Sequence, residues 1–295
     1  MSRSIEGKIK LNSFADIVGG KKDTVVDIPL EDLHEFRNHP YKVLDDEKME
    51  EMVNSIRENG ILVPGVVRPL IEGGYEIISG HRRKRACEIL GLETMPAIIR
   101  NLSDDDAVIA MVNSNIYRED ILPSEKARAY CMRYEAEKHQ GKETDGSGKT
   151  LEILASDSGE SSKTIQRYIW LSRLSEELLN MVDKKRLSFV CGVDISFLKD
   201  KEQRWVYEII KELSADHAVK ISPEQSGKLK NYSMKNELTR ALIMEILSER
   251  KPKERKVSIK RDDLARFFDD DTTDDEIRKT IIMLLDKWQY EEGEN

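Results

Sequence analysis

The 295-residue sequence predicts an α+β N-terminal domain, then an all-α helix-turn-helix domain, then a small, mainly helical C-terminal segment. Three observations carry this. Before about residue 100, short β-rich runs alternate with two helical stretches. From about Ser103 the apolar spacing is helical and stays so. A basic, proline-containing stretch, Lys251-Pro252-Lys253-Glu254-Arg255-Lys256, then precedes a strongly acidic end. Charged residues make up 35% and hydrophobic residues 39%, which suits several small cores better than one large one. The expected division is a mobile tail over 1–22, a first domain over 23–118, a helical domain over 119–250, and a linker with a C-terminal segment over 251–295.

Val25-Val26-Asp27-Ile28-Pro29-Leu30 reads as a short strand closed by Pro29. Asp45 and Asp46 can cap a helix to about Asn59, with Met49, Met52, Val53 and Ile56 at helical spacing and Gly60 as its stop. Val66-Val67-Arg68-Pro69-Leu70 and Tyr75-Glu76-Ile77-Ile78 flank Glu72-Gly73-Gly74 and predict a hairpin. A helix follows from near Gly80 to Gly91, then a strand at Ala97-Ile98-Ile99. Asp104, Asp105 and Asp106 favour a helix start, because carboxylates suit the positive end of the helix dipole. Pro123 opens a helix to about His139. Residues 141–149 are a loop by composition. Two short helices flank Gly159, and more follow to about Leu247.

No apolar run approaches the roughly 18 residues that span a bilayer. The N-terminus has no apolar h-region, so no secretory signal is expected. Cys87, Cys131 and Cys191 lie far apart, with no zinc spacing. These features point to free thiols in a reducing cytoplasm and to no membrane partner. The formal net charge of −8 naively argues against nucleic acid. Residues 262–295 hold 12 acids against 4 bases and carry that whole excess, so the rest of the chain is neutral.

Tyr75 to Ala86 is a strand, a glycine turn and a helix start. Arg82, Arg83, Lys84 and Arg85 crowd the first turn and a half of that helix. Cations there oppose the helix dipole, so something must offset them. A polyphosphate does so in principle, through free backbone N–H groups and charge-assisted bonds to Arg82 and Arg83. Gly80 lets the backbone approach closely. The alternative is a solvated basic surface.

The run ISGHRRKRACEILG resembles the GERRxRA box of ParB-type partition proteins. Asp46 to Arg68 (DEKMEEMVNSIRENGILVPGVVR) resembles that family's helix and its "GI-x-QP-x-x-VR" run. SNIYREDILPSEKARAY, residues 114–130, resembles its "ENxxREDLxPxEEAxAY". The similarity runs from about residue 24 to 200. It implies a ParB/sulfiredoxin-like fold for the N-terminal domain and binding of CTP with Mg²⁺. By the same resemblance Gly80, His81, Arg82 and Arg83 meet the triphosphate, and Asn115 and Arg118 complete its phosphate and metal end. His81 and Ser114 stand where the family usually has Glu, and Val63 where it has Gln. Loss of two carboxylates weakens metal positioning and any activation of water, so at most a weak CTPase is expected. Sulfiredoxin-like enzymes place a Cys beside the His-Arg of this turn. Here Gly80 precedes His81 and Cys87 lies two turns on, which disfavours a redox enzyme.

Residues 151–174 (LEILASDSGESSKTIQRYIWLSRL) read as a helix-turn-helix. Leu151, Ile153, Leu154, Ala155, Ile165, Tyr168, Ile169 and Leu171 are its apolar positions. Gly159 lies in the turn, and Ser161 or Ser162 caps the second helix. That helix has Lys163, Arg167 and Arg173 and no acid. Ser161, Ser162, Lys163, Gln166 and Arg167 lie on its leading face, which in this motif enters the major groove of double-stranded DNA. Gln166 can bond adenine, and Arg167 guanine or phosphate. The alternative is an ordinary helical hairpin with a basic face. Near the C-terminus, Ile277, Ile281, Leu284, Leu285 and Trp288 form an apolar stripe that suits a homodimer seam or a small internal core.

Together these features predict a ParB-like partition protein that binds a centromere-like site. The resemblance adds a CTP-switched DNA clamp, a ParA-type ATPase partner, and a nucleoid- or plasmid-associated location in the cytoplasm. The non-consensus boxes suggest a plasmid or mobile-element member. The rivals are a transcriptional regulator without the nucleotide switch and, more remotely, a nucleotide-dependent enzyme on the same fold.

Overall fold

The computed structural model describes residues 24–116, 118, 121–142, 148–214, 220–249, 259–269 and 271–292. The expected tail over 1–22 and the basic linker lie outside the described residues. The chain divides into two compact units, residues 1–249 and 250–295.

The first unit opens with a five-stranded mixed sheet. Its strands are β1 (Val25–Pro29), β2 (Leu33–His34), β3 (Gly65–Pro69), β4 (Tyr75–Ser79) and β5 (Thr94–Ile99), in the order β1-β5-β3-β4-β2. β1 runs antiparallel to β5, and β3 antiparallel to β4. β5 runs parallel to β3, and β2 parallel to β4. The hairpin turn bonds Leu70 N–H to Gly74 O at 3.0 Å. β5 starts at Thr94, three residues earlier than the apolar run suggests, and carries Pro96 opposite Asp27 of β1. β2 has only two residues and no sequence signal of its own.

α1 (Glu47–Asn59) is capped by Asp46, whose side chain accepts from Met49 N–H, and Gly60 closes it with φ 69°. α2 (His81–Leu90) ends at Gly91 in a left-handed conformation. α3 (Asp104–Asn113) is capped by Ser103. α4 (Pro123–Glu137) runs into a single π turn at Lys138–Lys142, so the regular helix stops short of His139. α5 (Gly148–Ser158) begins inside the stretch expected to be loop. α6 (Ser162–Leu171), α7 (Glu176–Asp183), α8 (Phe189–Ile195), α9 (Asp200–Ser214), α10 (Pro223–Met234) and α11 (Arg240–Ser248) complete the unit.

Successive strand residues face opposite sides of a sheet. Val67 and Ile77 therefore join Ile28, Leu33, Met95 and Cys87 of α2 in one core. Their neighbours Val66 and Ile78 join Ala107, Ala110 and Met111 of α3, Tyr130 of α4, Leu154 of α5 and Ile165 of α6 in another. The sheet and the helix-turn-helix thus share a core. Cys87 is fully buried, as the sequence reading required of a structural thiol. A third core, around Leu171, Leu178, Leu187, Ile195, Val206 and Ile243, supports the remaining helices, with Trp170, Trp205 and Tyr207 packed on it.

The second unit holds α12 (Arg261–Leu264) and α13 (Asp274–Glu292). Thr273 and Glu276 form a reciprocal cap at the start of α13. Arg261 bonds Asp274 at 2.9 Å and Thr272 O at 2.9 Å. Ile277 is buried, while Ile282, Leu284 and Leu285 are about half exposed.

Candidate functional site

β4 delivers the chain into Gly80, whose φ of 121° lies in the region that favours glycine. A Cβ there would stand 3.3 Å from Gly65 Cα of β3, so the turn is built for close backbone approach. α2 starts directly after it with no side-chain cap and no acid in its first turn. Its first N–H groups have no intrahelical acceptor.

The cations of this turn oppose the helix dipole and need an anion to offset them. The structure supplies carboxylates from the start of α1. Arg82 Nη2 donates to Asp46 Oδ1 at 2.8 Å, and Arg85 Nη2 to Asp45 Oδ2 at 2.7 Å. Lys84 lies 3.3 Å from Glu88. Arg83 points the other way and donates to Val63 O at 2.6 Å and Pro64 O at 2.5 Å. Burial holds the Arg83 guanidinium below its ordinary pKa. It clamps the loop before β3, and Arg82 is the guanidinium placed nearest to a phosphate-binding role. One of its donors, Nε, is buried with no partner among the described residues.

His81 turns into the module. Its Nε2 accepts from Phe36 N–H at 3.4 Å, and its ring stacks on His39 at 3.8 Å between centroids. His39 Nδ1 in turn bonds Tyr41 O at 2.7 Å. Burial, then His39 and Lys84, push the His81 imidazole down to about 3, so it is neutral. Arg118 is exposed, and its charge is felt at His39 and Tyr41, which brings it to the edge of the same site. Asn115 Nδ2 donates to Met111 O and Ser114 Oγ, both at 2.9 Å, and its Oδ1 faces Arg118 at 3.5 Å.

These residues fit a polyphosphate: an uncapped helix start behind a tight glycine turn, and a guanidinium with an unsatisfied donor. They do not by themselves hold Mg²⁺, which favours several oxygen ligands including carboxylate. Asn115 and Ser114 offer neutral oxygens only. Among the described residues no group of three or more His, Cys, Asp or Glu is placed to hold a metal.

The second surface is α5, the Gly159 turn (φ 71°) and α6. Ser161 is the cap: its Oγ accepts from Thr164 N–H at 3.1 Å. Ser162 Oγ donates back to Leu151 O at 3.5 Å. Both hydroxyls are thus engaged in holding the motif. Lys163 is exposed, Gln166 and Arg167 are partly exposed, and none of the three makes a hydrogen bond or ion pair among the described residues. Ile165, Ile169 and Leu171 on the opposite face are buried. Lys126–Glu160 at 2.5 Å and the Arg133–Asp157 pair lock α4 to this motif.

The ParB N-terminal domain family matches residues 15–116. The nucleoid occlusion protein of Listeria monocytogenes serotype 4b (strain CLIP80459) is 30% identical over 246 residues, covering 83% of this chain and 77% of the relative. The chain belongs to the ParB family. Looser likenesses connect this ParB-family chain to two crystal structures of the C-terminally truncated chromosome-partitioning protein ParB from Caulobacter crescentus. The form complexed to the centromeric parS site has a TM-score of 0.41 at 24% identity, over 70% of this chain and 98% of the other. The form complexed with CTP-gamma-S has a TM-score of 0.31 at 26% identity, over 64% and 98%.

The ParB-family match spans the whole sheet, the Gly80 turn and Asn115, and stops before Arg118 and α4. Within it lie residues that the sequence reading did not single out for the site. Glu76, only 5% exposed, accepts from Arg68 Nε at 2.6 Å and from Arg37 N–H at 3.0 Å. His39 backs His81. Asp45 and Asp46, read only as helix caps, also pair with the arginines of the turn. The spacing of 36 to 40 residues hides that second role from any local pattern.

Proposed function

We propose that this ParB-family chain is a sequence-specific DNA-binding protein whose hold on DNA is governed by CTP at the Gly80 turn. Lys163, Gln166 and Arg167 are its readers, with α6 in the major groove. Gln166 and Arg167 reach base edges, and Lys163 takes phosphate. Gly80, Arg82 and the first N–H groups of α2 take the triphosphate, Arg118 closes the edge, and His81 and Arg83 hold the turn in shape. Asn115 meets a Mg²⁺ that arrives with the nucleotide. The division of labour follows: 23–118 for the nucleotide, 119–250 for DNA, and 251–295 for self-association through α13.

The observation that carries this reading is the shared core. Ile78, two residues before Gly80, packs in the same cluster as Leu154 and Ile165 of the helix-turn-helix. A rearrangement at the turn therefore has a packed path to the reading helix, which a regulator without a nucleotide switch does not need. Closure into a clamp at a palindromic, centromere-like site, and transport by a ParA-type ATPase, are the finer parts of the proposal. The name shared by the relatives, nucleoid occlusion protein, supports a nucleoid-associated role on the chromosome as a second reading beside plasmid partition.

The test is selection of a site from random duplexes, followed by Arg167→Ala. We expect weakening of about 1–3 kcal/mol at the chosen site if Arg167 reads a base. Unchanged affinity removes α6 as the reader.

A further inference from the structure

We infer that Asp46 is a built-in counter-ion for Arg82 that a nucleotide's phosphate must displace, so that this one carboxylate sets the affinity of the Gly80 turn. The inference rests on the nucleotide reading above and concerns how that site is regulated.

Asp46 Oδ1 does two things at once. It accepts Met49 N–H at 3.0 Å, capping α1, and Arg82 Nη2 at 2.8 Å, neutralising the first turn of α2. Desolvation opposes the charge on Asp46, yet the bonds from Arg82 and Met49 N–H hold its carboxyl below the usual range. The Arg82 side chain is 17% exposed and Asp46 41%, so the anion is the more accessible partner. Arg82 Nε is buried with no acceptor among the described residues. The pairing is therefore incomplete on the arginine side, and a phosphate with three acceptor oxygens satisfies more of that guanidinium than one carboxylate oxygen does.

The neighbouring cations do not offer the same contest. Arg83 is committed to the Val63 and Pro64 carbonyls, and Arg85 to Asp45 and Glu88. A polyanion arriving at Gly80 meets Asp46 as a like charge and as a rival for Arg82. Asp46 also lines an open groove with Met49, Val53 and Ile89. Asp46 can therefore stay solvated when Arg82 turns to a phosphate, and α1 keeps its cap through Met49 N–H.

Asn caps helices as well as Asp does. Asp46→Asn therefore removes the charge and leaves the cap. The experiment is calorimetric titration of the full-length protein with CTP, with and without Mg²⁺, for wild type, Asp46→Asn, Arg82→Ala and the double variant. We expect Asp46→Asn to bind CTP about two- to fivefold more tightly, the range of a partly exposed ion pair, with and without Mg²⁺. The gain should vanish when Arg82 is already Ala. Thermal melting of Asp46→Asn should match the wild type, which shows that the cap survived. Unchanged or weaker CTP binding by Asp46→Asn overturns the inference, and weakening confined to Mg²⁺ makes Asp46 a metal contact instead. An equal gain in the Arg82→Ala background also overturns it. Wild-type binding with no gain removes this inference alone; no binding by any form removes the nucleotide reading with it.

Discussion

Replacing Glu76 by Ala should loosen the sheet far more than a strand residue on a mixed surface would suggest. Glu76 is a buried carboxylate on β4, directly opposite Arg68 of β3. It holds two donors, Arg68 Nε and Arg37 N–H. Its loss leaves Arg68, with a side chain 14% exposed, dependent on Asp104, which is 93% exposed, and on a long bond to Leu102 O at 3.4 Å. Removing one partner of a buried pair costs about 3–5 kcal/mol, and the surviving Asp104 contact offsets part of that. An orphaned, partly buried N–H at Arg37 costs about 1–3 kcal/mol. Solvent reaches both groups in part, so the two effects together should come to about 2–4 kcal/mol. Trp170 and Trp205 pack on the core of the later helices, so their fluorescence is a poor local probe of the sheet. Hydrogen exchange of the β3 and β4 amides is a good one, because exchange resolves sub-global opening. Protection there should fall about 30- to 700-fold, at 1.4 kcal/mol per factor of ten, with α9 amides little changed. Glu76→Gln keeps a carbonyl for Arg37 N–H and should lose roughly half as much in free energy. A Glu76→Ala loss of less than about 1 kcal/mol would refute the reasoning, since it would leave no energetic role for the pair.

Gly80→Ala should destabilise the N-terminal module by about 1–3 kcal/mol, because φ is positive and the new Cβ would crowd Gly65 Cα at 3.3 Å; an unchanged melting temperature contradicts this. His81 has a folded pKa of about 3 against an ordinary 6.5. Below pH 6.5 the unfolded chain takes a proton that folded His81 refuses, so the stabilisation is complete above 6.5 and is lost as the pH falls towards 3. By pH 5 the loss should reach about 2 kcal/mol, and His81→Asn should lose less between pH 7 and 5; parallel curves would show that His81 is not the group responsible. Ser161→Ala removes the cap of α6 and should cost about 1 kcal/mol, read as faster exchange of the Thr164 amide.

Much of the fold is legible in local sequence, because its signals are local. Asp46 and Gly60 bracket α1, Ser103 starts α3, Pro123 starts α4, and Ser161 starts α6 after Gly159. Each is a cap or a stop whose partner lies within four residues. β2 is missed because two residues carry no periodicity, and its pairing with β4 depends on the whole sheet. The start of β5 is missed because Thr94 and Pro96 weaken the apolar run.

The site divides the same way. The strand, Gly80 and the basic helix start are contiguous, so the turn is visible as a unit. What neutralises it is not, since Asp45 and Asp46 lie far upstream and look complete as helix caps. His81 illustrates the same limit. Its position beside Gly80 suggests a ligand, but the stack on His39 and the Phe36 N–H bond turn its ring inward. On α6 the pattern marks the leading face, and only the hydrogen bonds separate the structural hydroxyls of Ser161 and Ser162 from Lys163, Gln166 and Arg167, which have no partner among the described residues.

The most direct test of the account is the affinity for CTP measured with and without the selected DNA duplex. If the Gly80 turn and α6 are coupled through their shared core, each ligand must change the other's affinity by the same factor. The account predicts a shift of about 5- to 150-fold in CTP affinity on adding the duplex, the usual range of such coupling. It also predicts loss of that shift in Arg167→Ala at concentrations where DNA no longer binds. CTP affinity that is the same with and without bound DNA contradicts it.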